Sequence, residues 1–163
     1  MWQSDEYYLE KAIEVSAKSR ANGHSPFGCI LVDPDGEIIL EQGNVQGDER
    51  RCTGHAETVL MERASIKYDK DFLWNCTMYT SCEPCPMCAG AVFWGNVGRV
   101  VYAMSEADMI ELVQKEEGEN PKTLLFTMTA KEVFAGGMKR IKVQGPYASL
   151  AEKALEVHRG YYK

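Results

Sequence analysis

Little in this sequence points toward a membrane. No apolar run approaches the ~18 residues that a spanning helix needs. The first residues, Met1-Trp2-Gln3-Ser4-Asp5-Glu6, offer neither the basic nor the apolar stretch of a secretory leader. No internal repeat, low-complexity tract or linker divides the chain. Positive charge is scarce: 18 Lys and Arg against 24 Asp and Glu leave a formal net charge of −6 and a pI of about 5.1. That balance argues against broad, charge-driven binding of nucleic acid, which needs a basic face. These absences predict a cytoplasmic protein with no membrane partner, folded as a single domain over residues 1–163.

The residues that are present suit such a domain. The apolar share is 45% and the charged share 26%, both ordinary for a globular chain. Leu9, Ala12, Ile13 and Ser16 share one face of a helix predicted over residues 5–20. Phe27 to Val32 and Glu37 to Leu40 flank the turn residues Asp33-Pro34-Asp35-Gly36 and predict a hairpin. A polar loop over 43–54 precedes a helix starting at about His55. Further strands are predicted at 76–80, 99–103 and, as an edge, 138–143. Helices are predicted at 85–94, 105–117 and 148–157, and residues 118–136 carry no clear period. Strands alternating with helices predict an α/β fold, a three-layer α/β/α sandwich around a central mixed five-stranded sheet.

Six cysteines remain: Cys29, Cys52, Cys76, Cys82, Cys85 and Cys88. Without a secretory leader, metal binding or catalysis is the expected use rather than a disulfide framework. Cys29 and Cys76 lie in apolar strands and suit the core. Two short motifs stand out, His55-Ala56-Glu57 and Pro84-Cys85-Pro86-Met87-Cys88, each at the start of a predicted helix. Cys85 and Cys88 are three residues apart, which puts both sulfurs on one face of a first turn. A helix N-terminus favours the thiolate form. One imidazole and two thiolates make three zinc ligands and leave a fourth tetrahedral position open, the mark of a catalytic rather than a structural site. Glu57, two residues from His55, is placed to serve as the base.

H-x-E followed by P-C-x-x-C is the signature of zinc nucleobase deaminases, and the sequence resembles the cytidine deaminase superfamily from about Phe27 to Tyr102. Tyr79 to Ala91 is most similar to the purine branch, the bacterial guanine deaminases and tRNA adenosine deaminases. The resemblance implies zinc on His55, Cys85 and Cys88. It implies that Glu57 moves a proton from the attacking water to the leaving amine. It further implies substrate contacts from Asn44, Phe27, the backbone N–H of Cys85 and the carbonyl of Ser81 or Cys82. Trp94 resembles the guanine enzymes, and Tyr162, in the aromatic tail with Tyr161, resembles the family residue that closes the pocket, sometimes that of a neighbouring subunit. A homodimer is implied by resemblance alone. The guanine enzymes carry a Gly-Phe-Asp-Asp segment where this chain has Leu112 to Glu117, with Glu116 and Glu117 as the available acids.

The leading expectation is therefore a hydrolase of the C–N bonds of cyclic amidines, a deaminase of a free nucleobase or nucleoside with guanine as the first candidate. A tRNA-specific adenosine deaminase is the alternative enzyme; Lys139, Arg140, Lys142 and Lys153 are its clustered cations. A non-catalytic zinc module, closed by Cys82 or Cys52, is the alternative of another class. An iron–sulfur cluster on Cys82, Cys85 and Cys88 would leave His55 and Glu57 unexplained. Asn44 also fits a simple turn, and Phe27 and Trp94 also fit the core.

Overall fold

A computed structural model describes residues 1–163, apart from the side chains of Asp48 and Glu49. The chain runs α1 (Asp5–Ala21), β1 (Gly28–Val32), β2 (Ile38–Gly43), α2 (Gln46–Glu49), α3 (Ala56–Lys67), α4 (Lys70–Trp74) and β3 (Thr77–Cys82). It continues through α5 (Pro86–Gly95), β4 (Arg99–Met104), α6 (Glu106–Glu117), α7 (Ala130–Ala135), β5 (Lys142–Gln144) and α8 (Ala148–Glu156). The five strands form one mixed sheet in the order β2-β1-β3-β4-β5. β1 is antiparallel to β2 and β3, while β3–β4 and β4–β5 are parallel.

Period-two alternation sends successive strand residues into two separate cores. Leu31, Met78 and Val100 pack with Leu60 and Ala64 of α3, Val92 of α5 and Phe134 of α7. Their neighbours Ile30, Tyr79 and Val101 pack with Leu9 and Ile13 of α1, Met109 of α6 and Leu150 of α8. Helices thus cover both faces, as the sequence predicts, and β1 and β3 are buried throughout. Gly28 lets α1 lie against β1. A Cβ there would meet the Ser16 nitrogen at 2.4 Å and the Ala12 oxygen at 2.8 Å, so no larger residue fits. Among the described residues no helix is long and apolar enough to cross a membrane.

The predicted elements stand close to where they form, with informative exceptions. The loop over 43–54 contains the short α2, and α4 was not expected. The edge strand β5 is only three residues long, because Gly136-Gly137 and the exposed Met138 precede it in turn. Within residues 118–136, which carry no clear period, lies α7, opened by a capping box in which Thr129 and Glu132 satisfy each other's backbone N–H groups.

Candidate active site

His55 and Cys85 hold the same structural position: each is the N-cap residue of its helix, α3 and α5 respectively. Neither side chain caps its own helix. Both turn instead toward a common point, where the His55 Nδ1 lies 3.6 Å from the Cys85 Sγ and 3.6 Å from the Cys88 Sγ. Pro86 at the first position of α5 costs the helix no hydrogen bond and fixes its entry.

The donor set fits zinc. All three ligand atoms lie within 4.8 Å of one another. A tetrahedron with Zn–S of about 2.3 Å and Zn–N of about 2.0–2.1 Å has N···S edges of about 3.6 Å, the separation found. The hydrogen bond from Cys88 pulls Cys85 well below the ordinary thiol range, and the same bond, with burial, holds Cys88 up. Thr58 donates to the Cys88 sulfur at 3.2 Å. The hydrogen bond to Cys85 raises His55. Among the described residues no other cysteine joins the cluster. Cys82 is buried and donates toward Glu106, while Cys52 is exposed, so the closed-site and iron–sulfur arrangements find no fourth ligand.

Glu57 is buried beside this cluster and accepts a hydrogen bond from Thr80 Oγ1 at 2.8 Å. Burial raises its pKa above the usual carboxylate value. A cleft of about 1090 Å³ opens over these groups, lined by His55, Glu57 and Cys85 together with Phe27, Asn44 and Tyr162. Asn44 combines the two uses the sequence allows. Its Oδ1 accepts from the Gln46 N–H at 3.0 Å in a local turn, and the residue also lines the cleft. Phe27 lines the cleft with its edge against His158, ring centroids 4.9 Å apart. Tyr161 and Tyr162 line the cleft of their own chain.

Trp94 is placed elsewhere. It lies nine residues beyond Cys85 in the last turn of α5, about 13 Å along the axis, and is 74% exposed beside Phe93 and Lys139. The two acids considered at the end of α6 line the cleft but are engaged by their own chain. Glu116 accepts from the backbone N–H groups of Gly160 and Tyr162, and Glu117 from the N–H and hydroxyl of Thr123. Sequence reasoning missed Thr58, Thr80, Glu83 and Glu106. Only the proximity of Glu83 to the cysteine motif could have suggested one of them.

The family model for the cytidine and deoxycytidylate deaminase zinc-binding region matches residues 2–104. The chain is 36% identical over 160 residues to a probable cytosine deaminase of Schizosaccharomyces pombe, covering 98% of this chain and 93% of that one. It is 32% identical over 140 residues to a tRNA-specific adenosine deaminase of Bacillus subtilis, covering 82% and 85%. The crystal structure of guanine deaminase from Bacillus subtilis superposes with a TM-score of 0.62 at 30% identity, covering 82% of this chain and 90% of the other.

Proposed function

The chain belongs to the zinc-binding cytidine and deoxycytidylate deaminase family of C–N hydrolases, and from that premise we propose that it deaminates a free nucleobase, with nucleosides as the next class. The observation that carries this reading is the charge of the cleft. Its lining includes five glutamates, Glu57, Glu83, Glu106, Glu116 and Glu117, against two lysines, Lys122 and Lys163. Such a wall repels phosphate, and binding of a tRNA stem draws most of its strength from phosphate contacts. Neutral heterocycles carry no such penalty. Guanine is favoured by the likeness to the guanine deaminase, and cytosine by the likeness that spans nearly the whole chain.

In this reading His55, Cys85 and Cys88 hold zinc, which when bound supplies a Lewis acid that makes water a nucleophile near neutral pH. Thr80 fixes the orientation of Glu57. Glu57 takes a proton from the attacking water as its oxygen bonds to the amino-bearing ring carbon. The same carboxyl passes that proton to the adjacent ring nitrogen as the C=N bond opens, then carries the remaining hydroxyl proton to the departing nitrogen, and ammonia leaves as the ring C=O forms. The raised pKa of Glu57 suits both halves of the transfer. Phe27 offers an edge or face to the ring, Asn44 hydrogen-bonds it, and Tyr162 covers it.

Ammonia release should be measured for guanine, cytosine, adenine and their nucleosides, alongside inosine formation in an anticodon stem-loop RNA, each with Glu57→Ala as control. Turnover of a free base that the control abolishes supports the reading. Inosine in the RNA with silence on the bases would replace it with the tRNA enzyme.

A further inference from the structure

Of the five glutamates along the cleft, three are tied to their own chain through both oxygens. Glu83 accepts from the Glu106 N–H at 3.1 Å and from the Ala130 N–H at 2.9 Å, joining the N-termini of α6 and α7. Glu116 and Glu117 are held as described above. Glu57 is the fourth. The fifth, Glu106, has an oxygen to spare. Its backbone is locked at the first position of α6, and Oε2 receives only a long contact from the Cys82 thiol, at 3.5 Å. Oε1 has no protein partner among the described residues, although the residue is 9% exposed and lines the cleft beside His55, Glu57 and Cys85.

We propose that Glu106 is the specificity-determining residue of this site: its free carboxylate oxygen accepts a ring N–H of the substrate base. The proposal rests on the free-base reading and adds the group that reads the base. A carboxylate oxygen that no protein group engages and that opens on the cleft is free to accept from a ligand, and a ring N–H there makes a charge-assisted bond in place of one to water. Burial already holds the Glu106 carboxyl up at about 7, and the thiol of Cys82, itself pushed up by burial, remains a weak S–H donor. A ring N–H would favour the ionised form, as hydrogen bonds to a carboxylate do. Cytosine, guanine and adenine share one ring donor, the N–H at the nitrogen that bears the sugar in a nucleoside. A carboxylate that pairs with it selects the free base and rejects the N-substituted ring, which leaves the acceptor unmatched.

The test uses zinc-loaded protein and compares cytosine and guanine with 1-methylcytosine, 9-methylguanine and the matching nucleosides. Binding is measured by calorimetry in a Glu57→Gln background, which reads affinity without turnover, and kcat and KM are measured with Glu57 intact. Methylation should weaken binding roughly 10- to 100-fold when Glu106 is present, the worth of a hydrogen bond to a charged group. Glu106→Gln should weaken the free bases by a similar factor, seen in KM more than kcat. It should leave the methylated bases within about twofold, with melting temperature and zinc content unchanged. An equal loss for free and methylated bases, or no loss, overturns the proposal and makes Glu106 an anchor for Cys82. A loss greater for nucleosides than for bases also overturns it, by placing the contact on the sugar. Because the methylation penalty is read with Glu106 intact, a variant that folds poorly does not decide the matter. Bases that bind in the predicted pattern but release no ammonia would refute the activity and leave the Glu106 contact standing.

Discussion

At the scale of single residues, the site depends on hydroxyls that hold reactive groups in place. Thr80 points from β3 to Glu57, and Thr58 points from α3 to Cys88. A carboxyl that must collect and return a proton needs its free oxygen fixed within hydrogen-bond reach of the reacting atoms. Thr80→Val keeps the shape of the side chain and removes the donor. We expect kcat to fall roughly 10- to 100-fold, the usual effect of losing such support, with zinc content unchanged and KM altered less. Steady-state kinetics with metal analysis checks this, and an unaltered kcat would mean that packing alone orients Glu57. Thr80 shows why part of the site escapes a sequence. His55, Glu57, Cys85 and Cys88 are legible because metal ligation demands rare residue types at fixed spacing. A threonine in a strand is common, and only the pairing of β1 and β4 around β3 brings this one to Glu57.

At the scale of elements, α3 and α5 carry the ligands on their first turns, while α6 governs what covers them. The last turn of α6 presents Glu116 to the backbone of Gly160 and Tyr162. Arg20 of α1 donates to the carbonyls of Val157 and Arg159 from the other side, both at 2.7 Å. The tail is thus clasped over the cleft by two helices distant in sequence. Glu116→Ala should release it. The expected result is a KM for the base raised about 10-fold, because the two contacts lie at the solvent edge and only part of their worth reaches the bound base, and faster proteolytic trimming of residues 160–163. An unchanged KM with a trimmed tail would mean that Tyr162 is dispensable for binding. The helices that position the ligands were legible because their apolar periods are strong. Residues 118–128 were not, although Asn120, Lys122, Thr123, Leu124, Leu125 and Phe126 line the cleft. That stretch forms no helix or strand, and its place is set by side chains such as Glu117 holding Thr123. Trp94 illustrates the opposite error. Its identity matched a family pattern, but its position at the far end of α5 takes it out of the cleft.

At the scale of the whole molecule, Arg20 of α1, Phe27 ahead of β1 and Tyr162 of the tail meet at His158, which the fold encloses completely. Its Nδ1 lies 3.0 Å from the Tyr162 hydroxyl, its ring meets Phe27 edge-on, and its Nε2 has no hydrogen-bond partner. Burial, with Arg20 nearby adding repulsion, pushes its pKa down to about 3 from the ordinary 6.5. Above pH 6.5 the ring is neutral in the folded and unfolded chain alike, and its contribution to stability is fully present. As pH falls below 6.5 the unfolded chain takes up a proton that the folded one refuses until about pH 3, so stability declines through that window. The loss amounts to about 2 kcal/mol by pH 5, at about 1.4 kcal/mol per unit. His158→Phe fills the same space without a titrating group, sacrificing the tyrosine contact at every pH. Denaturant unfolding at pH 7.5 and pH 5 should show the native protein losing about 2 kcal/mol more than the variant. Taking the difference cancels the effect of acid on His55 and the cysteines, which both proteins share. Equal losses would show that the ring accepts its proton within the fold. In that case acid would act through groups that both proteins share, and the packing that holds Phe27 and Tyr162 at the cleft would survive it.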